Sequence, residues 1–211
     1  MEIMARLLFV FFISVVHLNM MAQNPLAITG QVKCQGDGVA NVVVTNGFDC
    51  VLTDASGKYT IPYHRDARFV YVTTPAGYLP QRDGSLPLFY QHIIEGTFIY
   101  DFSLVKNPRN DDRHLFLVQA DVQLGKGEDV AAYAEYLKDM REFINRHSEY
   151  DLFVLDCGDI VGNALSLFPS YKQTSDVLDV PMYRVIGNHD MEYGVRSYEH
   201  SYKTYEECFG P

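Results

Sequence analysis

Four side chains with oxygen donors follow the ends of three apolar runs. Leu115 to Val118 leads into Ala120-Asp121-Val122-Gln123, Tyr150 to Leu155 into Cys157-Gly158-Asp159, and Val180 to Ile186 into Gly187-Asn188-His189-Asp190. Asp121, Gln123, Asp159 and Asn188 present carboxylate and amide oxygens, the ligands that hard divalent cations prefer. In an open parallel sheet the residues just past the carboxyl ends of the strands meet in one crevice. Glycines precede Asp159 and Asn188 and let the backbone turn sharply there. His189 adds an imidazole, able to protonate a leaving oxygen or stabilise developing negative charge. Singly, each of these is an ordinary turn or cap residue. Their joint recurrence at three strand ends points to a metal site, with Gln123 balanced between ligand and outer support. Asp190 either orients His189 or caps a helix, and no role is assigned to it.

The elements that would position these residues are legible from periodicity. His114 to Ala120 reads as a strand. From Glu128 to His147 the apolar residues Val130, Tyr133, Ala134, Leu137, Met140, Phe143 and Ile144 recur at intervals of three and four, which predicts a helix with one buried face. Asp151 to Leu155 is the next strand, residues 164–178 are helical with Pro169 shortening or starting the helix, and Met182 to Ile186 is a third strand. Alternating strand and helix predicts a parallel sheet with helical crossovers.

Residues 24–106 read differently. Runs at Ala27–Lys33, Asn41–Thr45, Cys50–Asp54, Tyr59–Pro62, Arg68–Thr74 and Phe98–Val105 are short, and turn signals such as Asn46-Gly47 and Ser56-Gly57 break them up. No helical period occurs among them, so a small sandwich is expected. The polar, proline-bearing stretch 107–113 reads as a linker. The fold class is therefore a β-sandwich domain followed by an α/β domain over 114–211.

Composition sets outer bounds. Of 211 residues, 47% are apolar and 21% charged, as in a globular chain. A net charge of −10 argues against a nucleic-acid-binding surface. It leaves a phosphate-bearing substrate open, because a bound dication reverses the local field. Arg6, the apolar run Leu7 to Val16 and Ala22 before Gln23 form the pattern of an export signal over residues 1–22, and imply a periplasmic or secreted protein. No later stretch is apolar and long enough to cross a membrane. Export permits disulfides, and Cys34 and Cys50 lie in neighbouring predicted strands, where a pair or two small buried thiols are equally expected. Cys157 is expected to pack in its strand. No C-x-x-C spacing occurs, which argues against a cysteine zinc site.

Two resemblances follow from these residues. Gly30-Gln31-Val32, Gly38 to Val44, Thr53 to Tyr59 and Pro75-Ala76-Gly77-Tyr78 resemble the transthyretin-like, or carboxypeptidase-regulatory-like, sandwich found ahead of some bacterial phosphoesterases. Gly158-Asp159 and Gly187-Asn188-His189-Asp190 resemble paired motifs of the calcineurin-like metallophosphoesterases. That likeness implies a phosphoester substrate and two divalent cations (Mn, Fe, Mg or Zn). Asp121 would bind the first cation, Asp159 would bridge both, Asn188 would bind the second, and His189 would donate a proton. Gln123 stands where the family commonly has histidine, as in some of its branches; a neutral oxygen there favours Mg, Mn or Fe over Zn. The family's later histidines, including a Gly-His-x-His motif, have no counterpart here. His147 and His200 read as solvent-exposed helix residues, and Tyr193, Tyr198, Tyr202 and Tyr205 either pack on a helix, the simpler reading, or line a substrate cleft. The resemblance therefore implies the first half of a catalytic domain, truncated after the Gly-Asn-His-Asp motif, with little or no phosphatase activity. The alternative is a non-catalytic binding protein carrying a remnant of that domain.

Overall fold

The computed structural model describes residues 26–195 and 197–211, so the expected export signal lies outside the described residues. The N-terminal part contains β1 (Ala27–Cys34), β2 (Asp37–Gly38), β3 (Val43–Thr45), β4 (Cys50–Leu52), β5 (Lys58–Pro62) and β6 (Phe69–Val72), then β7 (Tyr78–Pro80), β8 (Arg82–Asp83), β9 (Leu86–Pro87), β10 (Tyr90–His92) and β11 (Phe102–Lys106). One sheet runs β2-β1-β11-β7 with β5 also on β1, and a second runs β10-β6-β3-β4. Alternate residues of β1 point inward, so Ile28, Val32 and Cys34 are buried with Val42, Val44, Ile61, Val70 and Phe102. Each such side chain contributes about 1.5–3 kcal/mol on burial. Gly30 occupies an inward position because a Cβ there would meet the Tyr100 carbonyl oxygen at 1.9 Å.

This part differs from the sequence expectation at several points. The last strand begins at Phe102 rather than Phe98, because the Asp101 carboxylate takes the Gln31 N–H (2.8 Å) and interrupts the ladder after the single Thr29–Ile99 bridge. Strands β7 to β10 escaped the pattern because each has only two or three residues and Pro80 and Pro87 interrupt them. Cys34 is buried and Cys50 exposed, and both are free thiols, as are Cys157 and Cys208.

The second part contains β12 (His114–Gln119), α1 (Gly127–Arg146), β13 (Asp151–Asp156), α2 (Phe168–Ser175), β14 (Met182–Arg184) and α3 (Lys203–Phe209). Its sheet is parallel, in the order β12-β13-β14, with Val118 opposite Leu155 and Leu155 opposite Tyr183. The Asp129 carboxylate accepts the Gly125 and Lys126 N–H groups and closes the first turn of α1. That helix buries Tyr133, Leu137, Met140 and Ile144. Pro169 lies in the first turn of α2, where its missing N–H costs nothing, so it starts the helix. The core joins Leu124, Leu137, Val154, Phe168, Tyr171, Met182 and Phe209. On the sheet face away from this core, Phe116 and Val118 remain 56% exposed.

The two parts are tied together. Asn107 donates to Asp151 (3.1 Å) and Arg109 to the Ser148 carbonyl (3.0 Å), while Asp111 accepts the Gly77 N–H. The β8–β9 hairpin leaves the sandwich and lies along β14: the Met182 N–H donates to the Ser85 carbonyl (2.8 Å), and the Ser85 N–H to Asp176 (2.7 Å). Farther along, Arg68 pairs with Glu206 (3.0 Å) and stacks over Tyr202.

Candidate metal centre

The loops after β12 and β13 run side by side. Asp121 N–H donates to the Gly158 carbonyl (3.0 Å), Gln123 N–H to that of Asp159 (2.9 Å), and Leu124 N–H to that of Ile160 (3.1 Å). The loop after β14 lies against them: His189 N–H donates to Asp159 Oδ1 (3.0 Å), and Asn163 N–H to the His189 carbonyl (3.2 Å). Asp190 clamps this arrangement. Its side chain is fully buried, Oδ1 accepts the Val161 N–H (3.0 Å), and Oδ2 accepts the Gly187 N–H (2.9 Å). With both oxygens spent on backbone amides, Asp190 organises the loops and is not available as a ligand.

Backbone geometry marks the same residues. Asp121, Gln123 and Asp159 have φ of 55°, 49° and 53°, in the left-handed region, and Asn163 has 66°. Such conformations cost roughly 1 kcal/mol each and persist where surrounding contacts impose them, typically at functional sites. A Cβ on Gly187 would lie 2.1 Å from both the N and Oδ1 of Asp159, so only glycine lets the third loop approach this closely.

The expected donors therefore lie on adjoining loops at one end of the sheet. Gln123 Nε2 is 3.5 Å from Asp159 Oδ2. Asn188 sits one residue before the amide that holds Asp159. Among the described residues neither Asp121 nor Asp159 pairs with a cationic side chain. The Asp159 carboxylate and the Gln123 amide offer oxygens of the kind a hard divalent cation takes, once the Gln123 amide turns its oxygen inward. Among the described residues no three His, Cys, Asp or Glu side chains group as a metal site, so the donor set depends on its amides.

Asn163 is a residue the sequence left without a role. Its Oδ1 lies 2.9 Å from His189 Nδ1. An amide oxygen only accepts, so Nδ1 carries the proton and Nε2 is the ring atom open to exchange. Beside this lies a cavity of about 490 Å³ lined by Asn188, Met191, Tyr193 and Tyr198. Tyr193 and Tyr198 lie outside the α-helices at 69% and 83% exposure, whereas Tyr205 is buried in α3, so the four tyrosines do not share the packing role expected of them. His147 caps α1 half-buried, with its ring stacked on Phe143, rather than facing solvent. Cys157 is exposed past the end of β13 rather than packed in it.

Beneath the Gly158-Asp159 turn lies Asp156, 2% exposed. It accepts hydrogen bonds from Tyr171 Oη, Gln119 Nε2 (2.5 Å) and Gly158 N–H (3.1 Å). Burial pushes its pKa above the ordinary carboxylate value, against the pull of those donors and of Arg184. The available signal was a carboxylate closing an apolar strand.

A β-sandwich fused to a parallel α/β unit, with oxygen donors gathered at the strand ends, defines the class of this protein. Residues 26–107 match the family model described as the N-terminal domain of calcineurin-like phosphoesterases, so the sandwich is similar to the domain that precedes those enzymes. No curated protein matches the chain.

Proposed function

We propose that this protein is an exported, metal-dependent phosphoesterase. The observation that carries the reading is the interlocking of the three strand-end loops around Asp159, with Asp121, Gln123 and Asp159 held in left-handed conformations. Asp121, Gln123, Asp159 and Asn188 would hold divalent cations, which when bound supply a nucleophilic water and charge neutralisation at the phosphoryl oxygens. His189 gives the proton at Nε2 to the departing alkoxide oxygen, and Asn163 fixes the ring through Nδ1. Four side-chain donors are few for two cations that take about six ligands each, so turnover is expected to be slow. The apolar segment after Arg6 supports export.

Titration with Mn²⁺, followed by the loss of its free EPR signal, tests the site. Saturable binding is expected, and Asp159→Asn weakens it at least about tenfold. His189→Ala leaves Mn²⁺ binding intact and slows hydrolysis of a nitrophenyl phosphate ester about a hundredfold. A wild-type chain without saturable binding refutes the proposal. The sparse carboxylate set favours, as second reading, a binding protein without catalysis, for which the titration is flat.

A further inference from the structure

We infer that the N-terminal domain positions the candidate metal centre through Ser85, which anchors Arg184, the cross-strand neighbour of the buried Asp156 beneath the Gly158-Asp159 turn. Ser85 is fully buried at the tip of the β8–β9 hairpin, and all of its polar groups are engaged with the other half of the molecule. Its N–H donates to Asp176, its carbonyl accepts from Met182, and its Oγ accepts from the Arg184 guanidinium at 2.8 Å.

Arg184 is the reason this contact matters. It is only 7% exposed, and its other terminal nitrogen donates to the Met182 carbonyl (3.0 Å). Its Nε has no partner. A buried cation is costly unless a counter-charge lies close. Asp156 is its cross-strand neighbour in the β13–β14 ladder, and the Tyr171 ring lies 5.4 Å from the guanidinium while the Tyr171 hydroxyl donates to Asp156. Ser85 and the Met182 carbonyl keep the guanidinium from swinging away, so the charge opposite Asp156 is fixed in place. Asp156 in turn accepts the Gly158 N–H, at the left-handed turn that aims Asp159 (φ of 92° at Gly158). A polar chain thus runs from the sandwich hairpin to the turn carrying the central donor, passing from Arg184 to Asp156 through Tyr171, whose ring faces the guanidinium and whose hydroxyl donates to the carboxylate.

Ser85 and Arg184 are positioning residues in this scheme. The ion pairs between the parts are of another kind. Lys172–Asp83, Arg82–Asp179 and Arg68–Glu206 each have at least one exposed partner and join the halves without reaching Asp156.

The test compares Ser85→Ala and Arg184→Lys with Arg68→Ala, which removes an interdomain contact outside the polar chain. The first readout is hydrogen exchange of the Gly158 amide by NMR, with amides of the β1–β5 ladder as reference. Ser85→Ala and Arg184→Lys are expected to speed Gly158 exchange about tenfold and leave the reference amides unchanged, while Arg68→Ala leaves Gly158 alone. Unchanged Gly158 exchange in both variants, or an equal rise in Arg68→Ala, overturns the inference. The second readout, Mn²⁺ affinity, rests on the proposed metal centre: Ser85→Ala is expected to weaken it about tenfold and Arg68→Ala not at all. A wild type that binds no Mn²⁺ sinks the metal-centre reading, and Gly158 exchange then decides the positioning by itself.

Discussion

Asp156 carries a pH signature that can be worked out with its sign. Its carboxyl is pushed above its ordinary value of 3.8 by burial, which outweighs the donors around it. The folded state therefore holds the proton more readily than the unfolded chain. The resulting stabilisation is fully present below the unfolded pKa and is lost as pH rises through the folded one. Asp156→Asn cannot titrate. The stability of wild type relative to Asp156→Asn, from urea unfolding at a series of pH values upward from about 3.5, is expected to decline as pH rises. A difference that grows with pH would show that the hydrogen-bond donors and the Arg184 charge outweigh burial. Part of this chemistry was visible beforehand. Asp121, Gln123, Asp159, Asn188 and His189 could be named because a polar side chain after an apolar run is a local pattern. Asn163, Asp190 and Asp156 could not be given roles, because their partners (His189, Val161 and Tyr171) come from other loops and a helix whose crossing no local pattern encodes.

At the scale of elements, period separated the readable from the unreadable. The stripe on α1 was legible because it repeats over five turns' worth of chain, and the buried residues Tyr133, Leu137, Met140 and Ile144 all belong to it. The β8–β9 hairpin has two residues in each strand, too few for any alternation to show. Yet it packs directly against the α/β unit. Gly84 at its turn has φ of 60°, and a Cβ there would lie 2.2 Å from an Asp176 carboxylate oxygen. Gly84→Ala therefore has to displace the same carboxylate that accepts the Ser85 N–H. The left-handed strain and the displaced hydrogen bond together are expected to cost about 2 kcal/mol. Chemical denaturation measures this, and a loss under about 0.5 kcal/mol, as for an ordinary surface substitution, would mean that the hairpin is not held against α2 in solution.

For the molecule as a whole, the question is whether sandwich and α/β unit behave as two bodies or one. Composition marks 107–113 as a linker because it is polar and contains Pro108, but composition is blind to what those side chains bond to. Asn107, Arg109 and Asp111 are each engaged, on both sides of the junction. The interface also buries Ser85 and Arg184, and it seats Gly210 so tightly against the Tyr90 ring that a Cβ would meet it at 2.1 Å. Exposed ion pairs alone would contribute little. A buried cation whose partners come from both halves is different, because parting the halves leaves the Arg184 guanidinium without Ser85 and opens the polar layer around Asp156 to water. Separation of the halves should therefore cost the α/β unit its own packing, so that neither half melts far from the other. Differential scanning calorimetry is expected to show one transition with calorimetric and van't Hoff enthalpies in agreement. Ser85→Ala should split or broaden that transition more than Arg68→Ala does. Two resolved transitions in the wild-type protein would instead show a sandwich that merely rides on its neighbour, and would cut the path by which the hairpin acts on the Gly158 turn.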